Sequence, residues 1–262
     1  MAGCGAAGPG PGAGVAVRRL LVRPDPQEPS TLLLDPPQAR HALKVLRLRP
    51  GDRFLAFDGA GHHWEAELVQ TTPAVRARVV GPVPAPTVPY RLTLYQGLPK
   101  GDRMDLVVRM GTELGVAAFV PVRTRRTVAT GERLDRWRRV AAEAAKQCGR
   151  PTIPQVARVV DFPKALERFQ LHQLRLVLWE RATDPLTHWV SASPAEDLAL
   201  FVGPEGGFDP EEVARLQTAG VLCSLGPLVL RTETAAVAAA AVVLGLQGFT
   251  PPQTPARVDK KP

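Results

Sequence analysis

A proline-rich segment divides this chain into two parts with different sequence patterns. Four prolines fall within the nine residues from Gly81 to Pro89. Proline donates no backbone hydrogen bond and has a fixed φ angle, so this density excludes helix and central strand and stiffens the chain. The chain has 262 residues, enough for about two domains of ordinary size. We therefore predict a linker at residues 82–89 between two folded domains.

The part before the linker, residues 18–81, is predicted to be a small β-rich domain. Runs with strand character at 53–58, 63–70 and 74–80 are separated by turn residues. Residues 37–48 interrupt them with the apolar spacing of a helix. Its positions Arg40, Lys44 and Arg47 would share one face. Such a basic face could contact RNA, or it could simply be exposed to solvent.

The part after the linker, residues 90–249, alternates apolar runs with helical stretches, which is typical of an α/β fold with a parallel sheet. Strands are predicted at 91–96, 117–122, 174–179, 198–202 and 221–225, and helices at 102–114, 132–147, 210–219 and 232–246. The last helix is apolar on nearly all sides. We expect it to lie in the core or partly in a subunit interface.

The two ends are predicted to lie outside these domains. Residues 1–17 carry no charge, and residues 250–262 contain four prolines and no apolar periodicity, so we expect a disordered extension and a flexible tail. The first segment lacks the basic start and leucine-rich centre of a secretory signal. The longest apolar run has 12 residues, short of the ~20 that cross a bilayer. Three cysteines without a CxxC pair favour a reducing cytoplasm.

The charge balance indicates a polyanionic partner. Lys and Arg number 33 against 25 acidic residues, a net charge of +8, and nucleic acid is the usual partner of such a surface. A genome rich in G and C would produce the same excess of arginine without a functional reason. The histidines lack a third ligand at zinc spacing, so no metal site is predicted.

Two loops that follow predicted strands are candidates for chemistry. The first, VGPEGGF at 202–208, has three glycines that would let its backbone approach a ligand closely. Three carboxylates in the next four residues occupy the helix start where a phosphate would otherwise bind, and the phosphate-loop and dinucleotide motifs are absent. A neutral or cationic ligand therefore fits better than ATP or NAD, and an ordinary turn is the alternative.

The second loop, LGPLVLRTETA at 225–235, places Arg231 and Glu233 beside the apolar last helix. Charges in such surroundings are expensive to desolvate unless they are paired or used by a site. The alternative is a capped helix in which Arg231 and Glu233 pair with their neighbours.

Together, the two loops resemble the bacterial 16S ribosomal RNA uridine-N3 methyltransferases, the RsmE family of the SPOUT superfamily. Further stretches agree with that family: 41–52, 101–105, 113–116, 147–150 and Pro154. The resemblance covers roughly residues 18–248. It implies a PUA-like RNA-binding barrel followed by a SPOUT-type catalytic domain with a parallel sheet tied in a trefoil knot.

The same resemblance implies the activity. The family uses S-adenosylmethionine, works as a homodimer, and methylates N3 of one uridine of 16S rRNA near the decoding centre. The expected partner is 16S rRNA in an assembled small ribosomal subunit. Neither a membrane nor a metal is implied. Two alternatives stay open: a SPOUT methyltransferase acting on tRNA or another rRNA nucleotide, and a noncatalytic knotted RNA-binding protein.

Site residues carry over from the resemblance by position. The cofactor-binding positions are Leu178, Trp179, Glu180, Val202, Gly203, Pro204, Glu205, Gly206, Gly207, Leu225, Gly226, Leu228 and Leu230. Uridine N3 carries a proton, so its methylation needs a base and a cation that stabilises the anion. We assign the cation to Arg231 and the base to Glu233 or Glu205. The RNA-binding positions are Arg40, Lys44, Arg47, Lys100, Arg103, Arg125, Arg126 and Arg150.

The chain departs from the family pattern at four places. Arg109-Met110 stands where Gln-Lys is usual, Arg125 and Lys146 where Glu is usual, and Leu228 where Arg is usual. The changes at 110 and 125 together are consistent with the loss of one ion pair.

Overall fold

The computed structural model of this chain describes residues 18–85, 88–129, 131–193 and 195–248. The predicted extension at 1–17, the predicted tail at 250–262 and positions 86 and 87 of the predicted linker lie outside these residues. The described residues form two compact units, one from 18–58 with 63–83 and one from 59–62 with the rest of the chain after 83. None of the described helices is long and apolar enough to cross a bilayer.

The first unit is a six-stranded sheet with a small apolar core. Its strands are β1 (Arg19–Leu21), β2 (Arg23–Pro24), β3 (Thr31–Leu33), β4 (Arg53–Phe57), β5 (His63–Gln70) and β6 (Arg76–Pro82). They are ordered β1-β4-β5-β6-β3-β2, and every neighbouring pair is antiparallel except β1 with β4. Alternate residues of the strands, such as Phe54, Ala66 and Leu68, face the core.

Two sequence predictions are corrected in this unit, namely the extent of a helix and the start of the linker. The predicted helix at 37–48 is α1 (Pro36–Arg40), continued by a π-helical turn (His41–Val45), and Arg47 has a left-handed φ of 54°. Arg40, Lys44 and Arg47 therefore do not share one helical face. The proline-rich segment also starts later than predicted, because Pro82 still pairs with Trp64 of β5. The other neighbour, β3, ends its pairing at Arg78, so the missing amide hydrogen of Pro82 costs no ladder bond.

The second unit is a parallel sheet with helices on both faces. Its strands are β7 (Arg91–Gly97), β8 (Ala118–Arg123), β9 (Gln155–Val156), β10 (Val160–Asp161), β11 (Leu174–Leu178), β12 (Asp197–Val202) and β13 (Val221–Cys223). Its helices are α2 (Arg103–Glu113), α3 (Leu134–Cys148), α4 (Phe162–Phe169), α5 (Leu186–Ala192), α6 (Pro210–Ala219) and α7 (Thr232–Gln247). The strand order is β10-β8-β7-β12-β11-β13, with β9 also pairing with β8.

The alternation of side chains along each strand divides the core of this unit into two layers. Leu92 and Leu94 of β7 pack with α2, α3, α5 and α7 on one face, whereas Tyr95 packs with α4 and α6 on the other. The predicted strand 63–70 and helix 210–219 are confirmed with the same bounds. Helix α7 buries one face, including Ala236, Ala240 and Val243, while Leu246 stays exposed.

Candidate active site

A cavity of about 650 Å³ lies where β11, β12 and β13 end. These three strands are neighbours through β11, and because they are parallel, the loops that follow them meet at one edge of the sheet. The cavity has the size of an ordinary small-molecule site. Its lining includes all of the predicted cofactor-binding residues: Leu178, Trp179, Glu180, Val202, Gly203, Pro204, Glu205, Gly206, Gly207, Leu225, Gly226, Leu228 and Leu230. The predicted catalytic residues Arg231 and Glu233 line it too.

A buried polar network, which the sequence analysis missed, ties the two candidate loops together. Gln96 is fully buried near the end of β7, and its Nε2 donates to Thr232 Oγ1 at 2.8 Å. The hydroxyl of Thr232 in turn donates to the carbonyl of Gly203 at 2.5 Å. A glutamine near the carboxyl end of a strand predicted to be buried was the available signal. This network holds the start of α7 against the glycine-rich loop.

Close backbone contacts shape the glycine-rich loop. A Cβ atom on Gly97 would lie 2.4 Å from the backbone nitrogen of Pro204, so only glycine permits this approach. Gly207 has a φ of 67°, a conformation that favours glycine. Gly206 does not have a positive φ, and its constraint is instead the backbone of Arg126, whose carbonyl oxygen would lie 3.3 Å from an added Cβ.

Three charged side chains meet at one corner of the cavity. Arg103 Nη1 lies 2.5 Å from Glu205 Oε1, and Arg103 Nε lies 3.5 Å from Glu233 Oε1. Glu205 Oε1 also accepts from the backbone amide of Lys100 at 2.9 Å. Partial burial raises the pKa of Glu205, but the backbone hydrogen bonds and the Arg103 guanidinium outweigh it and hold that pKa below its ordinary value. Glu205 is therefore a weaker proton acceptor than a free carboxylate.

Arg231 lines this cavity and has no protein partner among the residues that the structure describes. It precedes α7 as the N-cap residue, and its guanidinium forms no hydrogen bond or ion pair with the residues that the structure describes. Glu233 pairs with Arg103 instead. The alternative in which Arg231 and Glu233 pair with their neighbours therefore holds for Glu233. It does not hold for Arg231 among the described residues, so Arg231 is available to a ligand.

Two arginines assigned to RNA binding form ion pairs or hydrogen bonds with residues at, or just before, the start of α6. Arg125 Nη1 lies 2.8 Å from Glu211 and 3.3 Å from Asp209, and these carboxylates raise the pKa of Arg125. Arg126 donates to the carbonyl of Gly206 at 3.2 Å. The helix start itself is closed by a capping box between Asp209 and Glu212. Arg126 thus contacts the glycine-rich loop directly, whereas Arg125 contacts the helix start that follows it.

Arg150 also differs from its predicted role. Its Nη1 donates to the carbonyls of Val116 at 2.8 Å and Thr112 at 3.1 Å, and its Nε donates to Thr152. Burial lowers the pKa of Arg150. The guanidinium therefore satisfies the carbonyl of Thr112 near the end of α2 and that of Val116 just beyond it.

Replacing Arg150 with glutamine is expected to lower the free energy of unfolding by about 1–3 kcal/mol, because two buried carbonyls lose their donor. Urea unfolding measures this change. Arg150→Lys should recover little, since an ammonium group lacks the planar fork. An unchanged unfolding free energy together with weakened RNA binding would instead assign Arg150 to the RNA surface.

The remaining predicted RNA-binding residues are at the surface. Arg40, Lys44 and Arg47 in the first unit and Lys100 in the second are exposed. Within the described ranges, no group of three or more His, Cys, Asp or Glu side chains is arranged to hold a metal ion.

Comparison with known families defines the class of this protein. The sequence model of the RNA methyltransferase domain family matches residues 86–244, and that of the RNA methyltransferase PUA domain matches residues 34–75. The fold and the cavity at the strand ends thus belong to an RNA methyltransferase with a PUA domain. The predicted fold class, a parallel-sheet α/β domain preceded by a PUA-like domain, is confirmed.

Individual relatives identify the family. The chain is 38% identical to Ribosomal RNA small subunit methyltransferase E of Mycobacterium bovis over 235 residues, which cover 85% of this chain and 88% of that protein. It is 31% identical to the protein of the same name in Bacillus subtilis, over 82% of this chain and 90% of that protein. The chain belongs to the ribosomal RNA small subunit methyltransferase E family.

A solved structure supports the same assignment. The crystal structure of Ribosomal RNA small subunit methyltransferase E from Neisseria gonorrhoeae, bound to S-adenosyl methionine, is 29% identical to this chain and has a TM-score of 0.75. The match covers 86% of this chain and 95% of that structure.

Proposed function

We propose that this protein methylates N3 of a specific uridine of 16S rRNA, near the decoding centre of the small ribosomal subunit, with S-adenosylmethionine as methyl donor. Family membership supports methylation of small-subunit RNA. The observation that carries the proposal for this chain is Arg231, which has no partner among the described residues, in a cavity that also contains the buried carboxylate of Glu233. A cation and a proton acceptor are the two groups that methylation of an N–H site requires.

The lining of the cavity suits S-adenosylmethionine. The glycine-rich loop offers backbone groups, and Glu180 and Glu205 line the cavity with carboxylates, which favour a ligand carrying ammonium and sulfonium charges. Glu233 Oε2 is buried without a partner among the described residues, as expected of an atom that awaits a hydrogen-bond donor from the cofactor or from the target base. The loops at 178–180, 202–207 and 225–230 would hold the cofactor. When bound, it supplies a methyl group activated by a positively charged sulfur.

The protein would then act on the uracil ring. Loss of the N3 proton spreads negative charge onto O2 and O4, and the Arg231 guanidinium stabilises that charge in the transition state. Glu233 or Glu205 accepts the proton. The resemblance further implies a homodimer and a trefoil knot, and we include both in the proposal, together with a cytoplasmic location. The exposed Leu246 on α7 is consistent with a subunit contact along this helix.

The most direct test maps the modified uridines of 16S rRNA from a strain that lacks this chain. Small subunits from that strain should accept methyl groups from labelled S-adenosylmethionine when the purified protein is added, at one uridine N3. Methylation of tRNA or of another ribosomal nucleotide would support the first alternative. Binding of S-adenosylmethionine without methylation of any RNA would support a noncatalytic role.

Replacing Arg40 and Lys44 together with alanine should reduce the salt dependence of RNA binding. Both side chains are exposed and have no ion-pair partner in the described part of the chain. The slope of log affinity against log salt should become flatter by about 1.4–1.8 if each contacts one phosphate. Binding of small subunits or 16S rRNA fragments across a salt series measures the slope.

The matched control is the double alanine variant of Arg125 and Arg126, which also removes two cations. Their charges are already compensated by Asp209 and Glu211, so the slope should change by less than half as much. Equal changes in the two double variants would show that the ion pairs at α6 open when RNA binds, contrary to this prediction.

A further inference from the structure

The charged cluster at the corner of the cavity joins segments that lie far apart in the sequence. Arg103 begins α2, Glu205 lies in the glycine-rich loop, and Glu233 lies in the first turn of α7. One guanidinium contacts both carboxylates, at 2.5 Å and 3.5 Å. Arg103 was assigned from the sequence to RNA binding, but this position makes it part of the cavity wall.

The two carboxylates differ in how buried they are and in which oxygen atoms have a partner among the described residues. The Oε1 atom of Glu205 accepts from both Arg103 and the backbone of Lys100, and its side chain is 29% exposed. The side chain of Glu233 is only 9% exposed, and its Oε2 has no hydrogen-bond partner among the described residues. An unpaired buried acceptor is costly. Glu233 Oε2 is therefore the atom of this cluster that calls for a donor from a ligand.

The charge on Glu233 depends on its neighbours in the cavity. Glu180, Glu205 and Arg231 also line it, from the loops after β11 and β12 and before α7. Arg103 is the cation within 4.0 Å of Glu233 in the described structure. Removing one partner of a buried ion pair leaves an uncompensated charge. Arg103 is thus the group that stabilises negative charge on Glu233.

We propose that Arg103 is a positioning residue that holds Glu233 by Oε1, so that Oε2 accepts the N3–H hydrogen of the target uracil. This inference rests on the proposed function and chooses Glu233 over Glu205 as the proton acceptor. The proton moves to Oε2, and the electron pair of the N–H bond remains on N3. After methylation the carboxylic acid of Glu233 returns its proton to water.

The same oxygen can accept a hydrogen bond from a different N–H donor, the ammonium group of the cofactor. The two possible donors, the uracil N3–H group and the cofactor ammonium group, predict different results for Glu233→Gln. If the ammonium binds there, the affinity for S-adenosylmethionine falls at least 10-fold. If the uracil binds there, calorimetry should give a dissociation constant within about 3-fold of wild type, which is our expectation, and the loss should appear in the methylation rate.

A double-mutant cycle tests the link between the two residues. Single-turnover methylation of small subunits is measured at saturating S-adenosylmethionine for the wild type, Arg103→Gln, Glu233→Gln and the double variant. Each single change should lower the rate at least 10-fold, and the double variant should be within about 2-fold of Glu233→Gln. Arg103→Lys, which keeps a cation, should exceed Arg103→Gln at least 3-fold. If Arg103→Gln fails to fold, the cycle is completed with Arg103→Lys.

Two further variants separate this role from a structural one. Glu205→Gln weakens the contacts of the glycine-rich loop with Arg103 and with the Lys100 amide but leaves the contact between Arg103 and Glu233 in place, so its effect should multiply with that of Glu233→Gln. Arg109→Gln removes an exposed arginine of the same helix and should leave the rate and the melting temperature unchanged. If the wild type is active and the rate losses of Arg103→Gln and Glu233→Gln multiply in the double variant, this inference is overturned while the proposed function stands. A wild-type protein that methylates no uridine would overturn the proposed function as well.

Discussion

Replacing Arg231 with alanine is expected to lower the turnover of methyl groups into small ribosomal subunits by about 10²-fold or more, with the affinity for S-adenosylmethionine nearly unchanged. Arg231 has no protein partner among the described residues and lines the cavity. Its stabilisation of the uracil anion would therefore arise only in the transition state. A factor of 10² corresponds to about 2.7 kcal/mol of barrier, within the usual contribution of one oxyanion donor.

A conservative variant at Arg231 and a control at a nearby arginine test this role further. Arg231→Lys should recover little activity, because a point charge does not reproduce two hydrogen bonds from a planar guanidinium. Arg181→Ala, which removes an exposed arginine of the neighbouring loop, is the matched control and should stay within about 2-fold of wild type. A loss of cofactor affinity and thermal stability in Arg231→Ala, at near-normal turnover, would assign Arg231 a structural role.

Gly97→Ala is expected to weaken S-adenosylmethionine binding at least 10-fold and to destabilise the fold by about 1–3 kcal/mol. The new Cβ would lie 2.4 Å from the nitrogen of Pro204 and 2.7 Å from the carbonyl carbon of Gly203. Backbone atoms have no alternative rotamer, so the glycine-rich loop must move away from β7. That movement also strains the hydrogen bond from Thr232 to Gly203, which joins the two candidate cofactor loops.

Calorimetry with S-adenosylmethionine and urea unfolding measure the two effects of Gly97→Ala. The control is Gly81→Ala in the first unit, where an added Cβ meets nothing within 4 Å and φ is not positive. That change should alter neither quantity beyond a few tenths of a kcal/mol. Normal cofactor affinity in a stably folded Gly97→Ala would show that the loop position is not what binds the cofactor.

Local signals in the sequence were enough to predict the longer helices and strands and the two candidate loops. Helix 210–219 could be located from its proline at the first position and its acidic start, and strand 63–70 from its alternating pattern. The short strands β1, β2 and β3, of three, two and three residues, contain too few positions to show a period. Tertiary pairing creates them, as when β1 joins β4 in parallel.

Local patterns along the chain were enough to predict an α/β domain after a β-rich one and to place the cavity loops at the carboxyl ends of strands, because apolar periodicity and glycine content are local properties. The partners of the charged side chains could be identified only in the folded structure. Arg150 hydrogen-bonds carbonyls in and just after α2, Arg125 pairs with the start of α6, and Arg103 links two carboxylates in the cavity. An arginine that contacts a carboxylate cannot be told from one that faces RNA by its neighbours in the sequence. Its role depends on which distant segments the fold brings close to it.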